Sequence, residues 1–316
     1  MNSSPCRCDR AALEALLRSP QVGAYSFGIA SAGSVGQSAV DSYKRWLASG
    51  YNASMSYMER NNELRENPDG LLPGVKSLIV CAFAYPRPSA VKWDPGCLRI
   101  ASYALGDDYH DVLRRRLNIA CAQMKERFGG EYRVCIDTAP LRERYWAVQS
   151  GLGCIGLNGL LIIPGAGSCF FLGTILTTLE LPADSPCTLN CGNCRRCVVY
   201  CPSHALVDDP SGKSTLVDAR RCLSCLTIEH RGELPQGTRL GNRLYGCDMC
   251  QTACPHNRTE PAPEPLPEFM PRPALLELTK ERIERMDHDE YAVLFKGSAI
   301  KRAKLDGLKR NARACD

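Results

Sequence analysis

No run of eighteen apolar residues occurs anywhere in the 316-residue chain, so no transmembrane helix is predicted. The opening segment, Met1 to Cys8, lacks the basic and then apolar stretch of a secretory signal, and a cytoplasmic location is expected. Charge of one sign is nearly absent as a global feature. A net +5 is a weak signal for a polyanionic partner. Histidine is scarce: His110, His204, His230, His256 and His288 are the full set, and they supply no paired zinc motif. What remains is ordinary for a folded soluble chain, 44% hydrophobic and 23% charged, with length enough for two domains.

Cysteine is the exception, with 19 residues. An odd count without an export signal argues against a disulfide framework. Eleven are scattered: Cys6, Cys8, Cys81, Cys97, Cys121, Cys135, Cys154, Cys169, Cys187, Cys225 and Cys315. These are read as small buried hydrophobes. The other eight fall in two runs or beside them. The first is Cys191-Gly-Asn-Cys194-Arg-Arg-Cys197-Val-Val-Tyr-Cys201-Pro202, the spacing of bacterial ferredoxins. The second, Cys247-Asp-Met-Cys250-Gln-Thr-Ala-Cys254-Pro255, lacks one cysteine at its start, with Cys222 or Cys225 upstream to complete it. Zinc also takes paired cysteines, but seldom three consecutive steps closed by Cys-Pro. Two 4Fe–4S clusters are therefore expected. The fourth cysteine of each run serves the other cluster in such modules. One set is then Cys191, Cys194, Cys197 and Cys254; the other is Cys201, Cys247, Cys250 and either Cys222 or Cys225.

The first ~185 residues alternate helical and strand patterns, as a mixed α/β domain does. Asp9 is placed to cap a helix from Arg10 to about Arg18, with Leu13, Leu16 and Leu17 on one face. Strands are predicted over 24–30, 77–85 and 132–136, and helices over 39–49 and 107–127. The run from Gly151 to Gly173 holds seven glycines, which suits close backbone approach to a large ligand. Gly151 to Gly156 fits Gly-x-Gly-x-x-Gly, but a helical pattern precedes it where a dinucleotide fingerprint needs a strand. The proline-rich stretch 261–273 is expected to be an extended linker. Two or three helices are expected over 274–313.

Asp137 stands at the end of the predicted 132–136 strand, before Thr138-Ala139-Pro140-Leu141-Arg142-Glu143-Arg144. It is a candidate general acid if burial raises its pKa from near ~3.9. Equally, it is a helix cap with Arg142 and Arg144 as salt-bridge partners. Near the C-terminus, Lys296, Lys301, Arg302, Lys304, Lys309, Arg310 and Arg313 face a single Asp306. That tail is either a solvated helix face or a contact for nucleic-acid phosphate.

Several motifs together resemble the epoxyqueuosine reductase family: Tyr43-Lys-Arg-Trp46-Leu47, Met55-Ser-Tyr57-Met58, Tyr103-Ala104 with Asp108-Tyr109-His110, and Asp137-Thr-Ala-Pro140 with Glu143-Arg144. The likeness continues through Gly151-Leu-Gly153, Gly167-Ser168, Leu172-Gly173, both cysteine runs, Leu226-Thr-Ile-Glu229, Tyr245-Gly-Cys247-Asp248 and Phe295-Lys-Gly-Ser298-Ala-Ile300-Lys-Arg302. Against the family's common forms, the chain carries Ser102, Cys154, Leu157, Cys225 and His256.

The resemblance implies a cytoplasmic oxidoreductase that converts epoxyqueuosine to queuosine in the tRNA wobble position. It implies an α/β (α+β) cobalamin and substrate domain over 1–185, a ferredoxin-like double-cluster domain over 186–261, and a linker with a basic helical tail over 262–316. Implied cofactors are cobalamin and two 4Fe–4S clusters. It selects Cys222 over Cys225 as a ligand, makes Asp137 the proton donor, and implies Tyr57, Tyr103, Asp137, Asn158, Ser168 and Gly173 as cobalamin contacts. The corrin is expected against the Gly151–Gly173 loops. Expected partners are a tRNA anticodon stem-loop, touched by the basic tail, and an electron donor such as a flavodoxin or ferredoxin, with the chain a monomer. A small-molecule reductase resembling reductive dehalogenases, and a non-catalytic ferredoxin-type carrier, are the alternatives.

Overall fold

The computed structural model describes residues 10–210 and 214–316; Cys6, Cys8 and the capping role expected of Asp9 lie outside them. The helix Arg10–Leu17 buries Leu13, Leu16 and Leu17, the face that its periodicity marks. The segment Ser77–Ala84 is a strand buried at all eight positions. It pairs antiparallel with Ser26–Ser31 on one side and with Phe170–Thr177 on the other. Tyr132–Cys135 adds antiparallel to the far edge of Phe170–Thr177, closing a four-stranded sheet. The alternating pattern thus gives an α+β arrangement. Continuous burial of Ser77–Ala84 arises because both faces of the sheet are covered. Ile79, Cys81 and Phe83 point into a core shared with Leu13, Leu17, Leu113 and Leu117. Leu78, Val80 and Ala82 point into the opposite core with Val40, Trp146 and Leu161. This is the period-two alternation of a strand.

Tyr109–Phe128 is the longest helix. Asp108 caps it by accepting from the His110 N–H, and Gly129 ends it at φ +71°, a conformation glycine adopts without strain. This helix lies across the sheet and brings its first turn toward the end of the Tyr132–Cys135 strand.

A third core joins distant parts of the chain. Leu98, Ile100 and Leu105 pack there with Leu226, Leu244 and Tyr245 of the cysteine-rich region and with Phe295, Ile300 and Leu308 of the tail. The tail holds four short α-helices, Pro273–Leu276, Lys280–Arg285, His288–Leu294 and Lys304–Arg313, rather than two or three. Thr279, Asp287 and Ser298 each accept a backbone N–H and restart the chain. The proline-rich stretch is not a free spacer. It contains a 3-10 turn over Pro267–Phe269, Phe269 is buried in the sheet core, and Glu268 takes three bonds from the Arg116 guanidinium at 2.7, 2.8 and 3.1 Å. Proline bars a helix there, but it does not bar an extended segment from packing.

Candidate active site and cluster-binding cysteines

The Tyr132–Cys135 strand delivers Asp137, as its sequence position suggests. Asp137 adopts φ +40°, a region that costs most residues energy and that Asp tolerates better than most. Its N–H donates to Glu143 Oε1 at 2.8 Å, which ties the strand end to the first turn of the Glu143–Gln149 helix. The carboxyl stays open to solvent, with the side chain 58% exposed.

His110, in the first turn of the long helix, is gripped from both sides. Its Nδ1 lies 2.7 Å from Asp108 Oδ1 and its Nε2 lies 3.0 Å from Asp137 Oδ2. Burial works against its charge, but the two carboxylates prevail and push the imidazole up to about 9; at neutral pH it is an imidazolium. For Asp137, burial raises the carboxyl, yet the bonds from His110 and Tyr109 and the Arg144 charge together hold it below the usual range. The condition for a simple general acid, a raised Asp137, is therefore not met in this arrangement. The neighbouring acid is different: burial and the Asp137 charge push Glu143 up to about 8. Protons available near pH 7 thus sit on His110 and Glu143, with Asp137 ionised between them. Neither proton holder is marked by spacing in the sequence; both lie in motifs next to the residues that are.

An aromatic wall backs this group. Tyr109 stacks on Phe171 at 4.4 Å and 7°, His110 stacks on Tyr109 at 4.0 Å, and Tyr103 meets Tyr109 edge-on at 6.3 Å. The Tyr103 hydroxyl is 3.4 Å from that of Tyr245, which donates to the Ala299 carbonyl at 2.8 Å. Tyr57, 41% exposed, lies under the Arg302 guanidinium at 5.7 Å. Burial, then the Glu229 charge, pushes its hydroxyl up to about 12, and Asp137 and Cys225 act in the same direction. Arg302 is itself held by Glu229 at 2.7 and 2.9 Å. The site thus draws on chain segments near 57, 103–110, 137–144, 229, 245 and 302.

Of the six residues implied as cobalamin contacts, Tyr57, Tyr103 and Asp137 are brought together here. The other three are elsewhere. Asn158 is buried and lines a cavity with Cys191, Cys194, Cys197 and Cys254, and its amide nitrogen has no protein partner. Ser168 donates from its backbone to Asn257 Oδ1 at 2.7 Å and accepts from Gln251 at its carbonyl, fastening the glycine-rich run to the cysteine region. Gly173 lies inside the sheet, where a Cβ would stand 2.5 Å from Leu117. Some glycines of the run are needed for internal contact: a Cβ at Gly153 would lie 2.2 Å from the Ile162 carbonyl oxygen, and one at Gly167 2.2 Å from Asn257 Oδ1, whereas Gly165 faces open space.

The structure brings cysteines of the two runs into two neighbourhoods. Cys191, Cys194, Cys197 and Cys254 frame that one cavity. Burial, then the nearby Cys191, Cys254 and Cys194, push the Cys197 thiol up. In the second group, burial followed by Cys247 and Cys222 pushes Cys250 up, and Cys222 is raised by burial and by Cys201. Cys225 is instead pushed up to about 12 by burial, then by Cys222 and Glu229. Thiols crowded in this way resist ionising unless a cation is bound among them, which fits two thiolate-ligated iron clusters. A separate cavity of about 320 Å³ adjoins Cys247 and is lined by Trp93, Arg99, Ser102, Gly246 and Asp248 among others. Burial pushes the Asp248 carboxyl up to about 6 even though it accepts from the Ser102 N–H at 2.7 Å.

The basic tail separates into two kinds of residue. Arg310 is buried and donates to the carbonyls of Leu226, His230 and Gly232 at 2.8 to 3.0 Å. Lys296, Lys301, Lys304 and Arg313 are exposed. Among the described residues no helix is long and apolar enough to cross a membrane.

Comparison with known proteins places this geometry. The family model "Epoxyqueuosine reductase QueG, DUF1730" matches residues 65–138, and "4Fe-4S double cluster binding domain" matches 190–257. Epoxyqueuosine reductase of Gloeobacter violaceus is 39% identical over 94% of this chain and 93% of its own. That of Cellulophaga algicola is 36% identical over 98% of each. The chain belongs to the epoxyqueuosine reductase family. Among solved members of the family, a crystal structure with an epoxyqueuosine-modified tRNA-Tyr stem loop superposes with a TM-score of 0.81 at 28% identity, over 95% of this chain and 79% of that one. The Bacillus subtilis enzyme, solved with its catalytic aspartate loop swung out of the active site, gives 0.82 at 29% identity, with the same coverage. The chain is an oxidoreductase of this family, and the double-cluster match spans both cysteine runs.

Proposed function

We propose that the chain reduces epoxyqueuosine in the wobble position of a tRNA to queuosine, using cobalamin and two 4Fe–4S clusters, in the cytoplasm. The observation that carries this reading is the exposed Asp137 carboxylate, bonded to the His110 imidazolium at 3.0 Å, in a site shared with the second cysteine set. Relatives of the same name along nearly the whole chain support it, as does a solved relative holding a modified tRNA stem loop. In this reading residues 1–185 hold substrate, 186–261 the clusters, and 262–316 the tail that meets phosphate.

Net, the epoxide with two electrons and two protons becomes an alkene and water. Bound cobalamin would supply the two-electron reduction at the epoxide carbon, with electrons relayed by the clusters. Tyr57, Tyr103 and Asp137 fit that cofactor: they form an aromatic face beside an open carboxylate, and Tyr245 links the wall by two residues to Cys247. The chain's own part is proton management. His110 holds a proton at Nε2 against Asp137 Oδ2, and Asp137 passes it to the oxygen released from the epoxide. Glu143, protonated near neutrality, anchors the Asp137 N–H and keeps the loop in register. Exposed Lys301 and Lys304, beside Arg302, are placed to meet the phosphates of a stem-loop. An electron donor of the flavodoxin or ferredoxin kind completes the scheme.

The test is anaerobic turnover of an epoxyqueuosine-containing stem-loop with cobalamin-loaded protein. Wild type is expected to form queuosine, and Asp137→Asn is expected to bind the stem-loop and take up electrons yet lose turnover by 10²-fold or more. Normal turnover by Asp137→Asn would overturn the role given to that residue.

A further inference from the structure

The two cysteine sets differ in their surroundings. The second reaches the active site: Cys222 caps the Leu223–Ile228 helix, and Glu229 at its end grips Arg302 over Tyr57. In the first set Cys197 and Cys254 are buried, but the loop that carries Cys194 is open to solvent. Cys194 is the one exposed cysteine among the described residues. The same stretch of chain displays large apolar side chains in the open: Leu189 at 60%, Val199 at 70% and Tyr200 at 58% exposure. Leu189 precedes Cys191 by two residues, and Val199 and Tyr200 lie between Cys197 and Cys201. Such a patch on a soluble protein marks an interaction site.

Its charge is one-sided. No Asp or Glu occurs between Asp184 and Asp208, while Arg195 and Arg196 sit in the middle of that segment, both exposed. Arg195 pairs with Asp208 at 2.7 Å, leaving the Arg196 charge uncompensated by that carboxylate. An apolar centre with a cationic edge fits a protein surface that is acidic around an apolar centre. A polyanion such as RNA could stack a base on Tyr200 but would gain little from Leu189 and Val199, and the basic tail beside Arg302 lies with the second set.

We propose that the surface of Leu189, Arg196, Val199 and Tyr200 around Cys194 is the docking site for an acidic, low-potential one-electron carrier protein of the flavodoxin or ferredoxin class. This rests on the two-cluster reading above and adds where electrons enter. Each docking event moves one electron from the reduced carrier to the first cluster, oxidising the carrier and reducing the cluster, with no bond made or broken and no proton transferred. Two events supply the electron pair that one epoxide consumes.

Reduction of the oxidised holoprotein by reduced flavodoxin, followed anaerobically by stopped-flow bleaching of the clusters, tests the assignment in wild type and in Arg196→Glu/Val199→Glu. Both positions are exposed, and iron content per chain checks that the variant retains its clusters. The expected result is at least a tenfold lower second-order rate constant at low salt in the variant, with a flatter salt dependence. Reduction by photoreduced deazaflavin and affinity for the stem-loop should not change. An unchanged rate with both flavodoxin and an acidic ferredoxin would overturn the proposal. So would a matching loss of stem-loop affinity, which would assign the surface to RNA. The readout does not depend on turnover: clusters that accept electrons through this surface in a protein unable to reduce epoxyqueuosine would remove the functional reading and leave the dock standing.

Discussion

Replacing His110 by glutamine removes the one cation that joins Asp108 to Asp137, and its effect can be worked from the geometry. Raising an imidazole from 6.5 to about 9 corresponds to about 3 kcal/mol at ~1.4 kcal/mol per pKa unit. The Asp137 partner is 58% exposed, so solvent screening reduces the net contribution to about 2 kcal/mol. Because the folded-state pKa is raised, this stability is fully present below pH 6.5 and is lost as pH climbs through about 9. Asp108 and Asp137 are held low, so their share is present above the usual carboxylate range and is lost on acidification. Stability of wild type relative to His110→Gln should therefore be greatest near pH 6.5 and should converge on the variant by about pH 9.5. Anaerobic urea unfolding of both proteins across that range reads the difference directly. Turnover has the same signature: the wild-type single-turnover rate should fall above about pH 9, and the variant should be slower by about 10²-fold without that alkaline limb. Parallel stability curves, together with an unchanged alkaline limb in the variant, would refute the placement of the proton on His110.

Two further outcomes follow from packing and ligation. Cys222→Ser should retain about four of about eight irons per chain, whereas Cys225→Ser should retain about eight; iron and sulfide analysis after anaerobic purification distinguishes them. Arg310→Met should leave the carbonyls of Leu226, His230 and Gly232 without the donor they now share, at a cost of about 3 kcal/mol. Thermal unfolding should show that loss, while stem-loop affinity measured well below the melting range should stay within about twofold of wild type.

What the sequence by itself determined is the chemistry that depends on short-range spacing. Two Cys-x-x-Cys steps followed by Cys-x-x-x-Cys-Pro prescribe iron ligation because the ligand loop is local. Ser77–Ala84 declares itself a buried strand because apolar residues are continuous there, and Asp137 follows from where the Tyr132–Cys135 strand ends. Spacing alone leaves Cys222 and Cys225 as equal candidates, and only the family motifs favour Cys222. Tertiary structure decided what depends on chain segments far apart. Asp137 is an ionised partner of an imidazolium rather than a raised acid, because His110, 27 residues earlier, arrives on a helix whose position is set by packing on the sheet. That Gly153 and Gly167 serve contacts within the protein is visible only in the fold, where Gly153 abuts the Ile162 carbonyl and Gly167 the Asn257 amide. Arg310 and Arg302 look alike in a basic run, yet one is buried against carbonyls and the other bridges Glu229 beside Tyr57. Charge and spacing are properties of the chain, but burial and partnership, which set a side chain's protonation and its availability to a ligand, exist only after the segments meet.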